Sequence, residues 1–233
     1  MTQAVSGAAA TVATEHKVPV DAKIGEVSAL LLRPEGARWL LVLGHGAGTD
    51  MRHRSMEATC QALAGARIAT FRFNFPYKEH GRGAPDRAPV ATATVRAAVR
   101  AAATTAPDLP MLAGGRSFGG RMTSTAAAQE PLPGVRGLVF YGFPLHTAGA
   151  PSTDRAAHLE KVGVPLLFLQ GSKDALAELD LLRPVVKDLG RRATLHVVDG
   201  ADHSFHVLKS SGRTDEEVLD ELARRVHDWA DAL

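Results

Sequence analysis

The chain has one cysteine, Cys60, so no internal disulfide can form, and no CxxC or Cys/His cluster with zinc spacing accompanies it. A reducing, cytoplasmic setting is the expectation that follows. An excess of one charge is also lacking: 27 Lys and Arg against 25 Asp and Glu leave a net +2, too little to neutralise a run of phosphates. Nucleic acid is therefore not an expected partner. No apolar run approaches the roughly 20 residues that cross a bilayer. Residues 1–13 lack both the basic start and the apolar centre of a secretion signal. No membrane partner is expected. No linker, charge block or internal repeat interrupts the 233 residues, so one domain over 1–233 is the expected organisation.

What the chain does have is the balance of a folded protein, 45% hydrophobic against 22% charged, which excludes disorder. Short runs rich in Val, Leu, Ile and Phe alternate with longer stretches whose apolar residues recur at helical spacing. Strands are expected at 16–20, 27–33, 39–43, 67–73, 111–114, 135–141, 165–170 and 194–198, and helices at 55–66, 88–106, 118–129, 176–189 and 214–233. Too few residues separate the first two strands for a crossover helix, so they should form an antiparallel edge. The remainder reads as buried parallel strands. The fold class is α/β: a mostly parallel eight-stranded sheet flanked by helices.

Gly115-Arg116-Ser117-Phe118-Gly119 stands at the joint between an expected strand and an expected helix, the context a GxSxG nucleophile turn requires. The two glycines answer a steric demand, because the tight turn leaves no room for a Cβ beside the serine. A glycine-rich strand-to-helix turn with an idle serine, as in a phosphate loop, is the plainer alternative. No GxGxxG or GxxxxGK[ST] spacing favours it. A second glycine-rich strand end, Leu43 to Thr49, can supply a backbone N–H that acts with that of Phe118 on a developing oxyanion. Ala47 is the first choice of donor and Gly46 the second, while His45 is expected to shape the loop rather than move protons.

A serine nucleophile needs a base, and the base needs a carboxylate to orient it. Asp174 and His203 each follow a late strand and would share the sheet edge with Ser117. His206 is a rival base; Asp202, Asp199 and Asp180 are rival carboxylates. His203 and His206 also resemble half of a metal pair, but no third ligand of suitable spacing lies near, so no metal and no cofactor are expected. Arg116 and Arg121 flank the serine. They either hold the turn through ion pairs with Glu79, Asp86 or Asp154, or grip an anionic substrate group. Phe75, Tyr77, Phe143, Leu145 and His146 follow strand ends and are candidate pocket walls, with core packing as the alternative for the phenylalanines. Cys60 reads as a small buried helix residue.

With Gly44-His45-Gly46-Ala47-Gly48, Ser172-Lys173-Asp174 and Gly200-Ala201-Asp202-His203 added, the sequence resembles the α/β-hydrolase superfamily over nearly its whole length. Arg72 to Tyr77, Gly114 to Arg121 and Tyr141 to Leu145 look like a small branch that includes dienelactone-hydrolase-like bacterial proteins and testis-expressed relatives. Dienelactone hydrolases use cysteine where this chain has Ser117, so lactone hydrolysis does not carry over. The resemblance implies an α/β-hydrolase fold and a serine hydrolase acting on small-molecule esters, carboxylesterase-like. Catalytic residues would be Ser117, Asp174 and His203, oxyanion donors Phe118 and Ala47, and substrate contacts Gly46, Phe75, Tyr77, Arg116, Phe143 and His146. Thioester hydrolysis, acyl transfer and a non-catalytic binding module are the alternatives. Only residues 145–162 separate the sixth strand from the seventh, enough for one helix at 156–162 but not for a cap domain.

Overall fold

The computed structural model describes residues 12–233; of the segment read above for a secretion signal, residues 1–11 lie outside the described part. Eight strands form one sheet: β1 (Thr14–Asp21), β2 (Gly25–Leu32), β3 (Trp39–Gly44), β4 (Ile68–Phe73), β5 (Met111–Arg116), β6 (Val135–Tyr141), β7 (Leu166–Gly171) and β8 (Ala193–Val198). Their spatial order is β1-β2-β4-β3-β5-β6-β7-β8. β1 pairs antiparallel with β2, and β2 with β4, while every later pairing is parallel. The expected antiparallel edge is therefore present.

The helices are α1 (Arg54–Gly65), α2 (Pro76–Glu79), α3 (Ala88–Thr105), α4 (Phe118–Gln129), α5 (Leu179–Leu189) and α6 (Asp215–Asp231). None among the described residues is long and apolar enough to cross a membrane. α6 begins in a reciprocal cap, where Thr214 Oγ1 accepts from Glu217 N–H and the Glu217 carboxylate accepts from Thr214 N–H. Strand alternation divides the core into two layers. Leu40 and Val42 of β3, with Leu166 and Phe168 of β7, face the side covered by α3, α4 and α5. Leu41, Leu43, Leu167 and Leu169 face the side of α1 and α6, against Met56, Leu63, Val226 and Trp229.

Three differences from the sequence reading have local causes. The fifth helix starts at Leu179 rather than 176, because Asp174 Oδ1 takes Leu176 N–H at 2.8 Å and holds the chain in a turn. The strand end that continues to Tyr77 coils into α2, with Pro76 in the first turn, where its missing N–H costs nothing. The segment after β6 winds as a 3-10 helix, Asp154–Lys161, in place of the helix expected at 156–162, and, as expected, holds no cap domain.

Candidate active site

β5 runs into α4 through Ser117, whose backbone has φ 47° and ψ −110°, a left-handed conformation that is strained for any residue with a Cβ. Two backbone bonds hold it there: Ser117 N–H to Tyr141 O at 3.0 Å, and Arg121 N–H to Ser117 O at 3.0 Å. The flanking glycines are required by a close approach as well as by the turn. A Cβ on Gly115 would lie 2.4 Å from Gly44 O, and one on Gly119 would lie 2.3 Å from the same oxygen. The serine turn is thus pressed directly onto the loop that leaves β3.

His203, on the loop after β8, places Nε2 2.8 Å from Ser117 Oγ and Nδ1 2.6 Å from Asp174 Oδ2. The Asp174 carboxylate can only accept there, so the proton sits on Nδ1, and Nε2 is left to accept from the serine hydroxyl. Three residues from the ends of three parallel strands thereby form one hydrogen-bonded chain. Asp174 is buried, and its oxygens are satisfied by Leu176 N–H on Oδ1 and by both His203 and the Gln170 amide on Oδ2. Gln170 is buried too, and its Oε1 accepts from Phe143 N–H at 3.1 Å. The sequence reading missed it. A lone amide in the apolar run of β7 was the available signal, since a buried polar side chain needs a partner.

The rival groups are engaged elsewhere. His206 directs Nδ1 to the Asp215 carboxylate at 2.9 Å, and no group of three or more metal-ligating side chains gathers among the described residues. Asp202 Oδ1 accepts from Ser204 N–H and Oγ–H, each at 2.7 Å, and from His206 N–H at 3.0 Å, so it folds the loop rather than orienting the imidazole. Asp199 accepts from Ser172 Oγ–H at 2.9 Å, and Asp180 lies in the first turn of α5.

The loop after β3 is held from beneath. His45 is fully buried, and burial pushes its imidazole down to about 4, so it is neutral at neutral pH. Its Nε2 accepts from Phe75 N–H at 3.1 Å, which leaves Nδ1–H to donate to Gly46 O at 2.8 Å. Loop shaping is thus the role its contacts describe. Neither Ala47 N–H nor Phe118 N–H has an acceptor among the described residues. Gly46, Ala47 and Ser117 line the same cleft, of about 960 Å³, which lies between the starts of α1 and α6.

The pocket residues expected from sequence divide. Gly46 and Arg116 line the cleft, but Phe75, Tyr77, Phe143 and Leu145 are enclosed in the core. Those four side chains turn under the sheet edge, where Phe75 meets Phe73 and Phe118 edge-on, and Phe143 meets Phe140 and Phe168. His146 is also buried, with Nδ1 toward Thr147 O and Nε2 2.5 Å from Glu178 Oε2, away from the cleft. The walls instead come from segments the sequence did not single out, including His53 and Arg54 at the start of α1 and Leu219 of α6.

The expected ion pairs of Arg116 are also corrected. Its guanidinium donates to Thr59 Oγ1 at 3.2 Å and to Ser204 O at 3.0 Å, and stacks over Phe205, with its centre 5.8 Å from that ring. Burial lowers its pKa. Glu79 is bound to Ser28 and Asn74, and Asp86 to Arg82 and to Tyr77 N–H. Arg121 forms no ion pair among the described residues.

Solved structures share this architecture. An α/β serine hydrolase homologue from Coxiella burnetii superposes with TM-score 0.72 at 21% identity, covering 91% of this chain and 96% of its own. Dienelactone hydrolase from Anabaena variabilis gives 0.70 at 20% identity, covering 93% of this chain and 96% of its own. A serine hydrolase from Xanthomonas campestris, described as lacking a lid, gives 0.69 at 20% identity, covering 94% and 97%. At these identities the likeness speaks for the fold. Residues 37–231 match the family model described as an alpha/beta hydrolase domain, and with the nucleophile turn and strand order in place, the chain belongs to the alpha/beta hydrolase family.

Proposed function

We propose that the chain is a serine hydrolase that cleaves small or medium carboxylic esters through an acyl-enzyme. The observation that carries this reading is the continuous hydrogen-bonded chain Ser117–His203–Asp174, built on a strained serine and opening on a cleft. His203 Nε2 takes the hydroxyl proton as Ser117 Oγ attacks the ester carbonyl, and returns it to the departing alkoxide. Asp174 keeps the imidazole in the Nδ1–H tautomer and stabilises its cationic form. Phe118 and Ala47 N–H groups, free of other acceptors among the described residues, receive the oxyanion. Water deprotonated by His203 then releases the acid. The solved relatives named as serine hydrolases support this class of chemistry.

The test is a panel of p-nitrophenyl esters of rising acyl length, with a fluorophosphonate label. Wild-type protein should hydrolyse the esters and take the label, and Ser117→Ala should do neither while remaining folded. Short acyl chains should turn over fastest, because the segment after β6 adds little apolar wall. A folded wild-type protein that neither hydrolyses nor labels would refute the reading.

A further inference from the structure

Tyr77 was expected at the pocket wall and is instead buried beneath it, where its hydroxyl donates to Ala47 O at 2.7 Å and reaches Gly46 O at 3.3 Å. Resting on the proposed hydrolase reading, we infer that Tyr77 is a positioning residue for oxyanion stabilisation: it aims the Ala47 N–H through the carbonyls on either side of it.

The argument is one of peptide geometry. Gly46 C=O and Ala47 N–H belong to one planar trans unit, so they point in opposite directions. Gly46 O is drawn inward by His45 Nδ1–H at 2.8 Å, by Thr49 N–H and Oγ–H at 3.2 Å each, and by the tyrosine hydroxyl. Fixing that oxygen turns the N–H of the same unit away from these donors. Ala47 O closes the next peptide unit, and Tyr77 is its side-chain donor, so the two carbonyls bracketing the N–H share one hydroxyl.

The same ring also touches the second proposed donor, for Tyr77 and Phe118 meet edge-to-face with centroids 6.3 Å apart. One side chain thus contacts both residues whose N–H groups would hold the oxyanion. Its own place is fixed at the backbone by the buried Asp86, which accepts from Tyr77 N–H at 2.8 Å. Burial raises the phenol's pKa, so it remains a donor across the neutral range.

The experiment compares wild type, Ser117→Ala and Tyr77→Phe with p-nitrophenyl acetate, and measures inhibition by a trifluoromethyl ketone, whose serine adduct carries an oxyanion. Removing a donor outright costs on the order of 10² to 10³ in kcat. Misdirecting one should cost less, about tenfold, with KM within about twofold, and should weaken the ketone in parallel. A variant with 3-fluorotyrosine at position 77 keeps the hydroxyl and should retain kcat within about threefold, which separates a hydrogen-bonding role from a packing role even if Tyr77→Phe folds poorly. Wild-type kcat and ketone affinity in a folded Tyr77→Phe would overturn the inference, as would a loss of kcat that leaves ketone affinity untouched. An inactive, unlabelled wild-type protein would instead bring down the hydrolase reading itself, and this inference with it.

Discussion

Ser117 and His203 meet at 2.8 Å, yet the segments that bring them together are built on different principles. The serine turn is fixed by backbone packed on backbone: Gly115 and Gly119 lie so close to Gly44 O that a single methyl group has no space. The histidine loop is fixed by polar side-chain atoms, with Asp202 Oδ1 gathering three donors and Arg116 reaching Ser204 O. One segment should fail when atoms are added, the other when they are removed.

Adding an atom to the serine turn is the severest test. Gly119→Ala puts a Cβ 2.3 Å from Gly44 O and 2.8 Å from His45 O, backbone at the end of β3 that has to shift to make room, and is expected to lower stability by about 3 kcal/mol. Gly48→Ala, on the same loop system but with nothing within 4 Å, should leave stability within about 0.5 kcal/mol. Urea melts of the two variants measure this contrast, and equal losses would erase the distinction drawn here.

Acid probes the ground between the two segments. His45 supports the loop only as a neutral imidazole, and its pKa falls from 6.5 unfolded to about 4 folded. Its contribution is complete above pH 6.5, and it declines as pH falls toward 4, because the unfolded chain takes up a proton that the folded chain refuses. The full loss is about 3 kcal/mol at 1.36 kcal/mol per pKa unit. Burial lowers His158 to about 4 as well, so it acts in the same window. Urea midpoints at pH 7 and pH 4.5 should therefore differ, and His45→Gln, which cannot protonate, should narrow that difference.

Removing atoms from the histidine loop should cost less stability than crowding the serine turn does. Asp202→Ala strips three hydrogen bonds from a partly exposed turn and should cost about 1 kcal/mol. Its effect on kcat should be larger in proportion, because Phe205, held at φ 66°, and His203 share that turn. A variant that loses stability but keeps kcat would show that the imidazole is placed without the turn's help.

The backbone part of this architecture was legible in the sequence because it rests on local signals. Strand alternation and glycines at a strand-to-helix joint placed the sheet and the bend at Ser117. What was not legible depends on pairing across distance. Nothing in Phe75-Pro76-Tyr77 separates an aromatic that lines a pocket from one that folds under the sheet edge, and the difference is decided by a short helical turn at Pro76. Arg116 found neutral oxygens on α1 and the histidine loop rather than the carboxylates of Glu79, Asp86 or Asp154. Gln170 gains its meaning only from Asp174 and Phe143, brought together from two strand ends.

The exposed stretch 147–151, ahead of the 3-10 helix Asp154–Lys161, leaves the fold open to growth. Doubling the length of such a surface connection costs only about 0.6 kcal/mol in closure entropy. A roof grafted there could therefore narrow the choice of substrates while the strands beneath stay as they are, so selectivity in this scaffold can evolve almost independently of the chemistry it shelters.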